Sequence, residues 1–302
     1  MTSTTLTGFG GLEPDLAAFA TSRVLILPVP YERTVSYGKG TQEGPNSLLE
    51  ASRFMELYDE EIGKETARIG IHTLPPVNTD LEPDAMMDHL QAESAELLRT
   101  GKFLCSLGGE HSISAPLVRA HHAKFPGLSV LQIDAHADLR DSYEGSRCSH
   151  AAAMRRVLEV CPAVQVGIRS MSLEEAEAVE DLPTKIFFAK DIVGQQGWIE
   201  RVVEALSGEV YLTIDIDGLD PSVIPFTGTP EPGGLGWYEV LRLIREVASK
   251  KRIVGMDLVE LCHSETTSAP SFLAAKLIYK TIGYVFESEI PGPSIKLRSG
   301  TD

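Results

Sequence analysis

LSVLQIDAHAD, residues 128–138, joins a short, mostly apolar run to a burst of acid and imidazole. An apolar run with no clean polar face reads as a strand of a parallel sheet covered by helices on both sides. The arrangement recurs along the chain. Strand candidates are Val24–Val29 (VLILPV), 102–106, Leu128–Ile133, 164–166, 186–188, 210–216 (VYLTIDI) and 253–259. Helix candidates lie among them at 84–99, 113–124, 172–180, 238–250 and 270–286. In 238–250, Val240, Leu243, Ile244 and Val247 recur at three- and four-residue spacing and form one apolar face. Ser172 stands three residues before Glu175, the spacing of a capping box. Strands alternating with helices predict an α/β fold with a central, mostly parallel sheet. No break in composition divides the chain, so residues 1–302 read as one domain.

In such folds, ligands sit outside the carboxyl ends of the strands, so the polar residues there are the functional candidates. Residues two apart in extended chain point the same way. Asp134, His136 and Asp138 are therefore expected to project from one side of a strand end, and Asp215 and Asp217 to share a face after 210–214. After 102–106 comes LGGEHS (107–112), where Gly108 and Gly109 allow a tight turn and His111 opens the next helix. A lone Asp or His at a strand end is usually a cap or a turn former. Three such clusters on three strands need another explanation, because packed carboxylates repel unless cations separate them. His111, Asp134, His136, Asp138, Asp215 and Asp217 offer four carboxylates, two imidazoles and no thiolate. That donor set suits a hard ion of the Mn(II) type better than structural zinc. These residues are too few for two separate octahedral shells, which implies bridging carboxylates and two ions about 3.5–4 Å apart.

Composition narrows the partners. Lys and Arg number 27 against 43 Asp and Glu, a net charge of −16. Nucleic acid is a poor partner for such a chain, since phosphate contacts need clustered Lys and Arg. A small cation suits it better. No apolar run reaches the ~20 residues of a membrane span. The first residues lack the basic and apolar regions of a secretory signal. Cys105, Cys148, Cys161 and Cys262 form no CxxC pair and no disulfide framework, so they read as buried filler in a reducing, cytoplasmic compartment. His72, His89, His121, His122 and His263 read as surface or loop residues, with His263 of interest because it follows Glu260 closely.

The motifs GGEHS (108–112), DAHAD (134–138) and TIDIDGLDPSVIPFTGTPEPGG (213–234) together resemble those of the ureohydrolases, the family of arginase, agmatinase and their relatives. The likeness extends upstream through GTQEGP (40–45) and downstream to Glu260, nearly the whole chain. It implies a three-layer α/β/α domain and two Mn(II) ions per chain. By the resemblance, His111, Asp134, Asp138 and Asp215 would hold one ion and His136, Asp134, Asp215 and Asp217 the other. His150 falls where the family has a histidine for proton transfer or substrate contact, and Glu260 where its glutamate meets the guanidinium. Asp138 would relay the proton to the leaving amine. A homo-oligomer, trimer or hexamer, is implied as well. The chain departs from the pattern at Glu110, where many members have Asp, at Ala151, where many have Gly, and at LCHS (261–264), which replaces Val-Asn-Pro.

Arg140 stands where arginase-like members carry an Asn for the substrate carboxylate; Asp141 and Glu144 are its possible partners. An acidic surplus suits a substrate with an amine at its far end. The expected reaction is therefore agmatine to putrescine and urea. Aminopropyl-agmatine, a guanidino acid or arginine are the alternative substrates, and a formimino hydrolase or a non-catalytic metal-binding relative the alternative classes.

Overall fold

The computed structural model describes residues 8–295. The amino-terminal stretch inspected for a signal, and both ends of the 1–302 domain, lie outside them. Among the described residues there are ten strands: β1 (Val24–Val29), β2 (Tyr58–Asp59), β3 (Lys64–Glu65), β4 (Ile71–Thr73), β5 (Phe103–Gly108), β6 (Leu128–Ile133), β7 (Ala163–Ile168), β8 (Thr184–Phe188), β9 (Glu209–Asp215) and β10 (Arg252–Val259). β2 and β3 make a small antiparallel ribbon. The other eight form one sheet in the order β4-β1-β5-β10-β9-β6-β7-β8, and every neighbouring pair is parallel.

The apolar runs are buried on both faces, as their composition predicts. Along β1, Val24 and Ile26 join one core cluster while Leu25, Leu27 and Val29 join another. Helices Gly44–Ser52, Trp198–Ala205, Trp237–Lys250 and Ala269–Val285 pack in the first cluster. Helices Pro83–Arg99, Ser114–Lys124 and Ala153–Val157 pack in the second. This is the expected three-layer α/β/α arrangement. The predicted face Val240, Leu243, Ile244 and Val247 is buried. Ser172 and Glu175 form the predicted capping box, with Glu175 Oε2 accepting the Ser172 N–H at 2.7 Å.

Some elements escape the sequence reading. Edge strand β4 is too short to show a period. Helix Gly44–Ser52 begins Gly-Pro, which reads as a turn, yet proline is well suited to the first turn of a helix. Helix Trp198–Ala205 is likewise short. Two expectations are corrected. His121 is fully buried, not a surface residue. Its Nδ1–H donates to Leu117 O at 2.7 Å, and its ring packs on Tyr211 with centroids 4.7 Å apart. Only glycine fits opposite, since a Cβ at Gly255 would collide with His121 Nε2. Cys148 is not buried filler; it is partly exposed, and its thiol donates to Asp84 at 3.0 Å.

The four strands that carry the motifs lie side by side at the centre of the sheet, in the order β5-β10-β9-β6. Register aligns their ends: Ile133 pairs with Ile214, Asp215 with Val259, and Leu107 with Leu258. Residues far apart in the chain thus emerge at one edge.

Candidate metal centre and substrate cavity

Asp134, Asp215 and Asp217 are each anchored by local donors. Asp134 Oδ1 accepts the His136 N–H at 2.6 Å, and Oδ2 accepts the Gln132 amide at 2.6 Å. Asp215 Oδ1 caps the following turn by accepting the Asp217 N–H at 2.9 Å. Asp217 Oδ1 accepts the Ala135 N–H at 3.1 Å, tying the two motifs together. The imidazoles meet the lone pairs that these bonds leave free. His111 Nδ1 lies 3.1 Å from Asp134 Oδ2, 3.0 Å from Asp138 Oδ2 and 3.5 Å from Asp215 Oδ2. His136 Nδ1 lies 3.0 Å from Asp217 Oδ2 and 3.7 Å from Asp134 Oδ1.

Two groups of potential metal ligands result: His111, Asp134 and Asp215, and Asp134, His136 and Asp217. They share Asp134, and within each the ligand atoms lie inside 4.8 Å. All six residues expected from the sequence converge here, but not by simple strand alternation. β6 ends before Asp134, and Asp138 joins its neighbours through a left-handed turn at φ 54°. Asp217 sits in a 3₁₀ turn that Asp215 caps. Among the described residues, three non-glycine residues have positive φ: Asp138, Glu144 and Glu260 (63°). Two of them stand in this site, where strained backbone is tolerated for function.

The surroundings of His111 test whether a cation fits. Asp257 accepts from Thr213 Oγ1 at 2.6 Å and from the Tyr211 hydroxyl at 2.8 Å. Thr213 has then spent its proton and accepts from His111 Nε2–H at 2.9 Å. In the neutral ring that leaves a lone pair on Nδ1. Without a cation, burial is overridden by Asp134, Asp138 and Asp215, which hold the ring's pKa well above its usual value, so a proton takes that place. The atom is buried, makes no hydrogen bond and faces three carboxylates. An acceptor aimed at acceptors is stable only with positive charge between them, so hard divalent ions fit this donor set.

Electrostatics agree. Burial, followed by neighbouring charge, pushes Asp138 up to about 6 and Asp215 well above the usual carboxylate range. Burial also pushes Glu260 up to about 8. For His136 burial works downward, but Asp134 and Asp217 override it and hold the ring up at about 12. Without cations, the cluster gathers protons instead.

A cavity of about 240 Å³ opens onto these residues. Glu260 lines it; its Oε1 accepts the His111 N–H at 2.8 Å, and Oε2 remains for a ligand. His150 lines it as well, and burial lowers its pKa, keeping the ring neutral. Arg140 is also at the wall, with its guanidinium 5.3 Å above the Tyr143 ring and Nε 4.0 Å from Glu175 Oε2. Asp141 is not its partner: it binds Arg156 at 2.7 Å and Arg147 at 3.3 Å. His263 is exposed and lies away from this cavity.

Sequence reasoning missed Asp257, Thr213 and the loop after β1, which brings Ser36 and Tyr37 to the cavity. The strand-end rule points to that loop, but isolated hydroxyls carry no spacing signal.

Comparison with known proteins completes the picture. The model of the arginase family matches residues 22–283. The N(1)-aminopropylagmatine ureohydrolase of Synechocystis sp. is 40% identical, covering 91% of this chain and 92% of the relative. The agmatinase of Bacillus anthracis is 35% identical over 86% of this chain and 93% of its own. In three dimensions, the agmatine ureohydrolase of Thermoplasma volcanium superposes with a TM-score of 0.82 at 30% identity, covering 89% of this chain and 92% of that one. Among the described residues, no helix is long and apolar enough to cross a membrane. The convergent His/Asp clusters and these matches together show that the chain belongs to the arginase family and is a ureohydrolase, an enzyme that cleaves a guanidino group.

Proposed function

We propose that the substrate is an aminopropylated agmatine, hydrolysed to urea and the corresponding triamine. The observation that carries this reading is the 40% identity, over 91% of the chain, to an N(1)-aminopropylagmatine ureohydrolase, against 35% to an agmatinase. The order expected from the sequence, agmatine first, is therefore reversed, with agmatine the second candidate.

His111, Asp134, Asp138 and Asp215 would hold one divalent ion, and His136, Asp134, Asp215 and Asp217 the other, with Mn(II) the ion of choice. Bound there, such ions lower the pKa of water and favour developing negative charge. The protein does the rest. Glu260 offers Oε2 to the guanidinium in a charge-assisted pair; the cation restores charge to a carboxyl that burial holds at about 8. That pairing holds the guanidino carbon in place for attack. Asp138, whose Oδ2 lies 3.0 Å from His111 Nδ1, would take a proton from the attacking water and pass it to the leaving amine. His150 exchanges protons at the cavity wall.

One feature favours a second reading. Arg140 keeps only a distant carboxylate at 4.0 Å, so its guanidinium has donors free for an acid-ended guanidino compound.

The test is urea release with Mn(II) from aminopropylagmatine, agmatine, arginine and guanidinobutyrate, with formiminoglutamate scored by its own product. The highest kcat/KM is expected for aminopropylagmatine. A higher value for agmatine or guanidinobutyrate overturns the assignment. In the same panel, Glu260→Gln should keep its metal and lose about 2–5 kcal/mol in kcat/KM.

A further inference from the structure

The loop after β1 meets the residue before His111 in a buried network. Glu110 is fully buried. Its Oε2 accepts the N–H groups of Arg33 and Thr34 at 2.6 and 2.7 Å. Its Oε1 accepts the hydroxyls of Thr34 and Ser112 at 2.7 and 2.6 Å. This all-donor shell is that of an ionised carboxylate, which has no proton to give back. Thr34 has one hydroxyl proton and spends it on Glu110. Its oxygen is then an acceptor only.

Two groups of His150 approach that oxygen. The backbone N–H donates to it at 3.0 Å, and ring Nδ1 lies 3.2 Å away. Facing an acceptor, Nδ1 must carry the ring hydrogen. Nε2 is then left with its lone pair, and Ser36 Oγ lies 2.9 Å from it, placed to donate. The edge of the ring is braced by Tyr143, with centroids 5.6 Å apart.

We propose that Thr34, locked by Glu110, is a positioning residue that sets the His150 tautomer. It places the hydrogen on Nδ1 and presents Nε2 to the cavity as an acceptor. The inference deepens the reading of His150 as the proton-exchanging group and rests on it. A ring that starts with Nε2 free receives a proton from the cavity side before passing it on. Ser36 holds that lone pair until it is needed. The opposite tautomer would present a donor there and accept nothing.

The test is the ¹H–¹⁵N spectrum of the histidine side chains in the full chain loaded with diamagnetic Mg(II), with His150→Asn assigning the signal. The expected wild-type pattern is protonated Nδ1 and bare Nε2. Thr34→Ser should preserve it. Thr34→Val, of the same shape without the hydroxyl, should shift the tautomer and lower kcat about tenfold or more, with KM and metal content unchanged. Protonated Nε2 in the wild type, or an unchanged spectrum in Thr34→Val, overturns the proposal. Should the valine variant fail to fold, the wild-type and Thr34→Ser spectra still decide it. Full activity in His150→Asn would instead remove His150 from the chemistry while leaving the tautomer result standing.

Discussion

Among the described residues, a carboxylate cluster around buried Asp59 and the one at the sheet edge solve the same problem differently. On helix Ala269–Val285, Lys280 is 3% exposed, and its ammonium lies 3.1 Å from Asp59, 3.1 Å from Glu60 and 3.2 Å from Glu61. The fold supplies the cation there. Burial opposes ionisation of Glu60, yet its own backbone N–H and Lys280 draw its pKa below the usual value. At the sheet edge, Asp134, Asp138, Asp215, Asp217 and Glu260 converge with two imidazoles, and among the described residues no Lys or Arg side chain pairs with their carboxylates. There burial and mutual charge push Asp138 and Glu260 up. A chain brings its own cation where it needs a fixed joint, here between the β2–β3 ribbon and the helix. It leaves the cation out where an exchangeable one must enter.

The sharpest way to break this contrast is Asp134→Asn, which removes the charge common to both ligand groups. Urea release should vanish and metal per chain should fall, as elemental analysis would read. A fully loaded, active variant would end the case for a shared ligand. Lys280→Met should act in the opposite sense. It leaves Asp59 buried and unpaired, which costs about 3–5 kcal/mol of stability. Denaturant midpoints should show that loss, while kcat of the folded, metal-loaded enzyme stays at the wild-type value. An unchanged midpoint would mean that the ammonium is not what holds the ribbon.

His121 sharpens the comparison as a buried ionisable group with no opposite charge nearby. Burial, aided by Lys124, lowers its pKa from 6.5 to about 4. The unfolded chain therefore binds a proton that the folded chain refuses between those values. The resulting stability is fully present above pH 6.5 and is lost as pH falls toward 4. The loss amounts to about 3 kcal/mol. The difference in unfolding free energy between wild type and His121→Asn, followed from pH 7 to 4, should shrink by about that amount. A constant difference would show that the ring titrates normally.

Much of this was legible in the chain. VLILPV and LSVLQI announced strands buried on both faces, because no other environment suits so few polar residues. DAHAD and the TIDID segment announced metal chemistry through residue type alone. His121 was misread because a histidine in a polar-looking helix gives no sign of what its helix packs against. The Thr34–Glu110 network was invisible because its members are 76 residues apart.

The sequence by itself determined the strand and helix alternation, the donor set and the family. Local residue pattern encodes burial and period, and rare residue types encode chemistry. Only the tertiary structure decided that β5, β10, β9 and β6 lie adjacent, that His111 Nδ1 is left without a partner, and that Thr34 reaches His150. Strand order and hydrogen-bond direction arise from contacts between distant segments, which no local pattern specifies.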